Sequence, residues 1–503
     1  MIRKLLFSSA SPSVIAHSIS SSARLKLWCA VVLLASTSAF AITTDQKANP
    51  GLCGLSDDDA AGLSRDLGTD VYAVRVYKDT ISGMLHERNF EQLDCVADHA
   101  RSNQERFPGG MWKLHELYKG LSEPVAQQHA TEEDWKRLLE LLQSWIAEQP
   151  KSITARVALA SAWINYAWDA RGRGYSDKVS ESGWTLFTQR TEEAQRVLKD
   201  ASETLPAKCP EWYVVMQNVA QNEDWNGAEM RSLFDEAYKF EPGYYYYARA
   251  LAYLLLPKWG GAPGDTEKFV QEIADHIGRE QGDIFYFQVA SSNDLICGCQ
   301  DQPEFSWERI KRGYEASQKQ YGLSMLNLNR MAYLAVHYGE TDPIFADQAF
   351  TRIGDQWDEE VWKSERDFRA TQSWATQMVP ITIANRAKEA AAQDNLQTPE
   401  GARYQLAFEK AYRGLLNECV RTDGANVSEW KGKFETMIMV GGNGFVEDGG
   451  IHSVGPIVMC MYQKMRPSHE QRSPLFPPPP KPSYWVRVDL DWSEFAPVAP
   501  LGK

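Results

Sequence analysis

The chain has 503 residues, a formal net charge of -14, 43% hydrophobic residues and 17 tryptophans. That length accommodates two or three domains with sizeable cores. The acidic balance, without any long Lys/Arg run, argues against binding to nucleic acid or to anionic membrane surfaces, and the tryptophan surplus reads as packing between helices.

Residues 1–41 are a different material. Arg3, Lys4, Arg24 and Lys26 supply positive charge and no acid is present; Trp28 to Leu34 is apolar, and Ala39-Phe40-Ala41 fits the A-x-A cleavage signature. We expect a secretory signal peptide cut after Ala41, a mature chain in the periplasm or outside the cell, and no integral membrane anchor after cleavage. A retained anchor is the alternative, although the apolar run is short for a spanning helix. Cleavage takes the net charge to about -18.

Export permits disulfides. Seven cysteines follow residue 41: Cys53, Cys95, Cys209, Cys297, Cys299, Cys419 and Cys460. Spacing does not fix their pairing. Cys53 with Cys95 and Cys419 with Cys460 are candidates, because each pair lies within one end of the chain. The odd number leaves at least one thiol free or intermolecular. Cys297-Gly298-Cys299 has no second pair at ligand spacing, so no metal is expected there.

After an N-terminal extension, 42–83, paired helical patterns run over 84–375. Phe90, Leu93, Val96, Ala97 and Ala100 form one apolar stripe, broken by Phe107-Pro108-Gly109-Gly110. Thr131-Glu132-Glu133-Asp134 signals a helix start, a capping Thr followed by acids. Trp135, Leu138, Leu139, Leu142 and Trp145 then mark one face. Its partner, Ala155 to Trp168, carries small residues at Ala158, Ala160 and Ala162 that allow close approach. Similar pairs recur as far as Phe345 to Trp357 and Val361 to Trp374. The breaks at Pro206 and Pro242 lie 36 residues apart, close to a tetratricopeptide period. These features predict a tetratricopeptide-like α-solenoid.

Two loops interrupt the array: Ala170 to Trp184, and Leu254 to Asp265. Each can simply turn the chain between repeats, yet loops carry function more often than helices do. Trp168, Arg171 and Trp259 beside them are the candidate partner- or ligand-binding residues. The stretches WDARGRGYSDKV, PKWGG and SWERIKRGYEASQKQYGLSMLNLNRMAYLA together resemble an uncharacterised bacterial family of helical-repeat proteins, over roughly Phe90 to Ala375. That resemblance implies fold and bacterial origin and transfers no activity.

A connecting segment, 376–397, precedes a region of different patterning, 398–495, and a tail, 496–503. Thr398 to Val420 reads as a helix. Lys433 to Val440 reads as a strand, with Phe434, Thr436, Ile438 and Val440 alternating. Gly441-Gly442-Asn443-Gly444 is a hairpin turn, Phe445 to His452 the return strand, and Val454 to Met465 a second helix. Four prolines, Pro477 to Pro480, cannot lie in a helix or a central strand. Beyond them Val486, Val488, Leu490 and Trp492 alternate with charged residues, which predicts a last half-buried strand. The order helix, strand, strand, helix, strand, with Cys419 before the first strand and Cys460 in the second helix, resembles a divergent TonB C-terminal domain. The resemblance implies a three-stranded sheet covered by two helices. The predicted class is therefore mainly α, an α-solenoid followed by a small α+β domain.

Catalytic signatures are sparse. No phosphate-binding Gly-x-x-x-x-Gly-Lys-[Ser/Thr] loop and no Gly-x-Ser-x-Gly elbow occur. His86-Glu87 and His115-Glu116 lack a second His four residues after the first. Ser428-Glu429-Trp430-Lys431 stands without the companion motifs of penicillin-binding enzymes. We expect no catalytic residue, metal ligand or cofactor. The expected function is an exported protein-binding scaffold of the bacterial cell envelope, engaging a protein or peptide and no nucleic acid. The alternatives are an envelope hydrolase, or other enzyme, with a site around Trp168, Arg171 and Trp259, and a structural component of an envelope assembly.

Overall fold

The structure is a computed structural model. It describes residues 53–125, 129–172, 174, 176–205, 208–292, 295, 303–338, 341–423, 433–449, 456–465 and 474–491. The expected signal peptide, Cys297 and Cys299, Ser428 to Lys431, and His452 and Trp492 at the strand ends lie outside the described residues. The chain is mainly helical, with one small antiparallel sheet at its C-terminal end. Among the described residues no helix is long and apolar enough to cross a membrane.

Short polar residues start many of the helices. Thr131 caps Glu132–Glu148, its hydroxyl accepting from the Asp134 N–H while the Asp134 carboxylate takes the Thr131 N–H. Side chains of Ser152, Ser180, Asn226, Ser306, Ser324 and Ser364 accept first-turn N–H groups of later helices, and Asn226 with Glu229 repeats the reciprocal arrangement. Each such cap contributes about 1 kcal/mol by satisfying an orphaned backbone donor. Glu132–Glu148 buries Trp135, Leu138, Leu139, Leu142 and Trp145, the stripe its sequence spells. Its partner Ile153–Arg171 is buried on most sides through Ala155, Ala158, Ala160 and Ala162, whose small side chains admit neighbours all round.

Helical structure starts before residue 84. The stretch 42–83 holds Asp57–Leu63 and the start of Ala73–His86, which bring Leu63, Tyr77, Ile81 and Met84 into the same core as the later pairs. At the other end, Pro343–Ile353 stops short of Trp357, because Gly354 turns at a φ of 58°. Such a turn favours a residue without a Cβ. A four-residue helix, Glu359–Trp362, ends at Lys363, and Ser364 then caps a new one. The apolar periodicity across Val361 to Trp374 hides that break. The new helix, Glu365–Leu396, is 32 residues long and includes nearly all of the expected connecting segment. At 1.5 Å per residue it spans about 48 Å.

An open solenoid lets each repeat touch only its neighbours. Here the first helices also meet the last ones. The Met325 N–H donates to Leu67 O at 2.9 Å, and the Val71 N–H to the Gln356 side chain at 3.0 Å. Arg75 pairs with Glu359. The Gly109 carbonyl accepts from Ser317 Oγ at 3.0 Å and Asn327 Nδ2 at 3.1 Å. Gly109 has a φ of 81°, and a Cβ there would meet Asn327 at 2.4 Å, so glycine is required where the turn enters the array. Trp112 Nε1 donates to Gly243 O at 2.9 Å. The array is thus closed by its own N-terminal segment.

The C-terminal sheet has strands β1 (Lys433–Gly441), β2 (Val446–Gly449) and β3 (Ser483–Asp491), in the order β2-β1-β3, all antiparallel. The last strand therefore has its partner: Thr436, Ile438 and Val440 of β1 stand opposite Val488, Val486 and Tyr484 of β3. These six side chains are buried, and the last five and Leu490 share a core with Tyr404, Phe408, Tyr412 and Leu416 of helix Pro399–Asp423 and Met461 of helix Pro456–Met465. The segment before the prolines is pinned rather than free. Phe476 is buried against Phe408, ring centroids 4.3 Å apart, and the Tyr404 hydroxyl donates to Pro477 O at 2.9 Å. Two hydrophobic cores result, one spanning residues 63–375 and one spanning 404–490.

Candidate functional site

Four helices of the array turn ionisable and aromatic side chains inward. Lys113–Leu121 carries His115 and Glu116, Pro210–Asn222 carries Glu211 in its first turn, Tyr246–Leu254 carries Arg249, and Met325–His337 carries Arg330. The run Tyr244 to Tyr247, at the start of Tyr246–Leu254, lies between them, and all four rings are buried.

His115 Nδ1 lies 2.9 Å and 3.2 Å from the two Glu211 oxygens, and the Tyr244 hydroxyl donates to Glu211 Oε2. The imidazole stacks on Tyr246, centroids 3.6 Å apart and planes 20° from parallel. Burial, and then Glu211, push the Tyr244 hydroxyl well above the ordinary tyrosine range, so it remains a donor. Burial does the same for Tyr246. The carboxylate of Glu211, only 4% exposed as a residue, thus has its neighbours provided.

Glu116, 5% exposed, has Lys119 at 3.8 Å. Burial would raise its carboxyl, but Lys119, His115, Lys78 and Arg330 outweigh burial and hold it below the ordinary value. Arg249 lies over the rings of Tyr245 and Tyr246, at 4.7 Å and 5.4 Å, and its Nε donates to Gln288 O at 2.8 Å. Arg330 has a sealed Nε without a hydrogen-bond partner among the described residues. Burial, and then the like charge of Arg249, lower its guanidinium from the ordinary arginine value.

The loop residues singled out from sequence lie elsewhere. Arg171 is sandwiched between Trp168 and Trp184, 5.1 Å and 5.2 Å from the two rings, and its Nη1 donates to Gly172 O and Gly174 O. Trp168 and Arg171 are brought together, and the guanidinium holds the loop that carries it. Trp259 is 38% exposed and packs on Tyr253. Its turn is tight: Gly260 sits at a φ of 99°, and a Cβ on Gly261 would meet Leu255 O at 1.9 Å. That close backbone approach explains the paired glycines of PKWGG. Cys53 and Cys95 stand at disulfide distance, 2.07 Å, as do Cys419 and Cys460, 2.05 Å. Cys209 is a buried free thiol, 3.2 Å from the Tyr118 hydroxyl. Among the described residues no group of three His, Cys, Asp or Glu could hold a metal ion.

Two surfaces complete the inventory. A cleft of ≈ 290 Å³ lies between Trp307–Tyr321, Pro343–Ile353 and Glu365–Leu396, lined in part by Glu308, Lys311, Asp342 and Arg386. Its charges pair among themselves: Asp342 meets Lys311 at 3.1 Å and Arg386 at 3.3 Å. On the sheet, carbonyls of β3 are taken by helix side chains, Trp485 O by Asn395 Nδ2 at 3.1 Å and Arg487 O by Gln405 Nε2. The opposite edge is β2.

Sequence reading missed the inward cluster. Its signals were a lone Arg330 among Leu326, Leu328, Met331 and Leu334, and a Glu directly after the helix-starting Pro210. No family model matches the chain, and neither a curated protein nor a solved structure does.

Proposed function

We propose that the chain is an exported protein-binding scaffold of the bacterial cell envelope, without catalytic activity of its own. Its helical pairs are read as divergent tetratricopeptide-like units, and its sheet module as a divergent TonB C-terminal-like domain. Two disulfide-distance cysteine pairs agree with an exported chain.

The observation that carries the scaffold reading is where apolar side chains meet solvent. Ile381 and Ile383, on the long helix, are 50% and 55% exposed, and Leu406, on the next helix, is 69% exposed. Met459 and Tyr462 on helix Pro456–Met465 add 42% and 40%. These five lie on the three helices of the C-terminal region, and exposed apolar groups favour a protein contact. The array interior, by contrast, is filled by its own first helices, which argues against a peptide lying along a concave groove. The partner surface is therefore assigned to the long helix and the sheet module. β2 offers a short edge for strand addition; the β3 edge is capped by Asn395 and Gln405.

The test is a pair of chains, wild type and Ile383→Asp with Leu406→Asp, tagged identically and crosslinked in cells. The scaffold reading expects one dominant envelope protein captured by the wild type and lost in the double variant. Equal capture by both would remove the surface from consideration.

One observation favours an enzyme instead. The Glu211–His115 pair, with Nδ1 held and the ring stacked on Tyr246, has the orientation of a general-base dyad. Turnover of cell-wall fragments that disappears in His115→Gln would establish that reading over the scaffold.

A further inference from the structure

The long helix Glu365–Leu396 is anchored near both ends and bare between. Phe368 and Ala375 lie in the array core, and toward the far end Ala392 is buried. From 376 to 391 no side chain of the helix is buried. A stretch without a buried face is held by its ends and by side-chain contacts alone. Pro380 falls inside it. Proline has no N–H for the carbonyl four residues back, here that of Thr376, and its ring crowds that carbonyl, so long helices bend at such residues. Before the proline, the Thr376 hydroxyl donates to Asp347 of the array at 2.6 Å. After it, Lys388 pairs with Asp448 of β2 at 2.8 Å and lies over the Trp485 ring of β3, and Asn395 donates to Trp485 O. The half before Pro380 therefore moves with the array and the half after it with the module.

Arg386, beyond the proline, reaches back to the array, its Nη2 3.3 Å from Asp342 Oδ1. Asp342 does not depend on that contact. Its carboxylate also takes Lys311 Nζ at 3.1 Å, Trp307 Nε1 at 3.3 Å and the Phe345 N–H at 3.3 Å. Its side chain is 9% exposed, against 55% for Arg386. The cleft of ≈ 290 Å³ lies at this level, lined by Phe345 and Gln348 as well as by the charged residues. The ion pair thus bridges a gap, and an exposed ion pair is weak and screened by salt. We propose that Glu365–Leu396 is a hinge at Pro380 closed by an ionic latch, Arg386 on Asp342, so that the module swings relative to the array when the latch releases. The acid is a receptor fixed in the array by its other donors, and the arginine is the moving part. Release widens the cleft and carries Ile383 and Leu406, which lie beyond the hinge, away from their closed position. The device rests on the connector alone and stands whether or not those apolar residues bind a protein.

The test uses the full mature chain with spin labels on non-natural residues, which spare the cysteines, at Arg352 of the array and Lys410 of the module, both exposed. Double electron–electron resonance reads the distance distribution between them in the wild type, Arg386→Gln, Pro380→Ala and the double variant. We expect one narrow distance in the wild type at low ionic strength. Arg386→Gln is expected to broaden the distribution about twofold or to add a second population, as loss of a weak exposed pair would. The wild type should change the same way in about 1 M sodium chloride, where charges act over only about 3 Å. Pro380→Ala restores the helical hydrogen bond, so the double variant should return toward the narrow distance, which a loosened or partly unfolded module would not do. A distribution unchanged by both Arg386→Gln and salt overturns the latch. A double variant as broad as Arg386→Gln alone overturns the hinge at Pro380.

Discussion

The array and the C-terminal module hold themselves together by different means. The array has one continuous core from Leu63 to Ala375, in which Trp112 and Trp145 are fully buried, and its first helices close against its last. Among the described residues each region carries one disulfide-distance pair, Cys53–Cys95 and Cys419–Cys460; the module has 13 described core residues and adds a strap of prolines held by Phe476 and Tyr404. A small core supplies only a few kcal/mol beyond the entropy it must offset, so staples decide its stability. A large core depends less on such staples.

The comparison breaks most visibly if the cores are not separate. Phe408→Ala, at a fully buried ring stacked on Phe476, is expected to cost about 3–5 kcal/mol and to unfold the module alone. Trp145→Ala, at a ring stacked on Phe90 and donating to Asp94 at 3.2 Å, is expected to cost about 3–5 kcal/mol in the array alone. Urea unfolding followed by hydrogen-exchange mass spectrometry resolves the two regions. A single shared transition in both variants would show one cooperative unit.

Cys419→Ser comes next. The bridge to Cys460 closes a loop of 41 residues, and losing it is expected to cost about 2–5 kcal/mol in the module. The array melt should be unchanged, and calorimetry on the oxidised variant and wild type checks both. Thr131→Ala removes the capping box of Glu132–Glu148 and is expected to cost the array about 1 kcal/mol, measured as a lower urea midpoint with the slope unchanged.

The smallest effect is a pH dependence at the cleft. Burial would raise the Asp342 carboxyl, but bonds from Lys311, the Phe345 N–H and Trp307 outweigh burial and depress it. A carboxyl depressed in the folded state stabilises fully above its unfolded value, near pH 4, and loses that contribution as pH falls through the folded value. Asp342→Asn should therefore be less stable than wild type at pH 7, with the gap narrowing toward pH 2–3. A gap constant with pH would assign the residue a purely steric role.

Much of the module was legible in the sequence because its signals are local. Alternation of Val486, Val488 and Leu490 marks a half-buried strand, and the Gly441 to Gly444 turn joins β1 and β2 whatever surrounds it. The Thr131 cap and the Trp135 to Trp145 stripe were legible for the same reason. Closure of the array was not. A helical stripe states that a face is buried and leaves its partner unspecified, so Leu67 against Met325 has no sequence signature. The interior cluster was hidden too: Tyr244 to Tyr247 has no helical period, and His115, Glu211, Arg249 and Arg330 meet only through tertiary packing. The loop residues Trp168, Arg171 and Trp259 stood out because their glycine-rich surroundings are unusual, and the backbone geometry of those turns accounts for the glycines of PKWGG.

The most direct test places a photo-crosslinking residue at single positions of the tagged full chain in living cells: Ile383 and Leu406 on the connector and module, Leu186 and Phe240 as exposed apolar positions on the array. Capture of one envelope protein from Ile383 and Leu406, with none from Leu186 or Phe240, is the predicted result. Capture from the array positions alone, or from none of the four in a folded and abundant protein, would contradict a scaffold that binds through its C-terminal region.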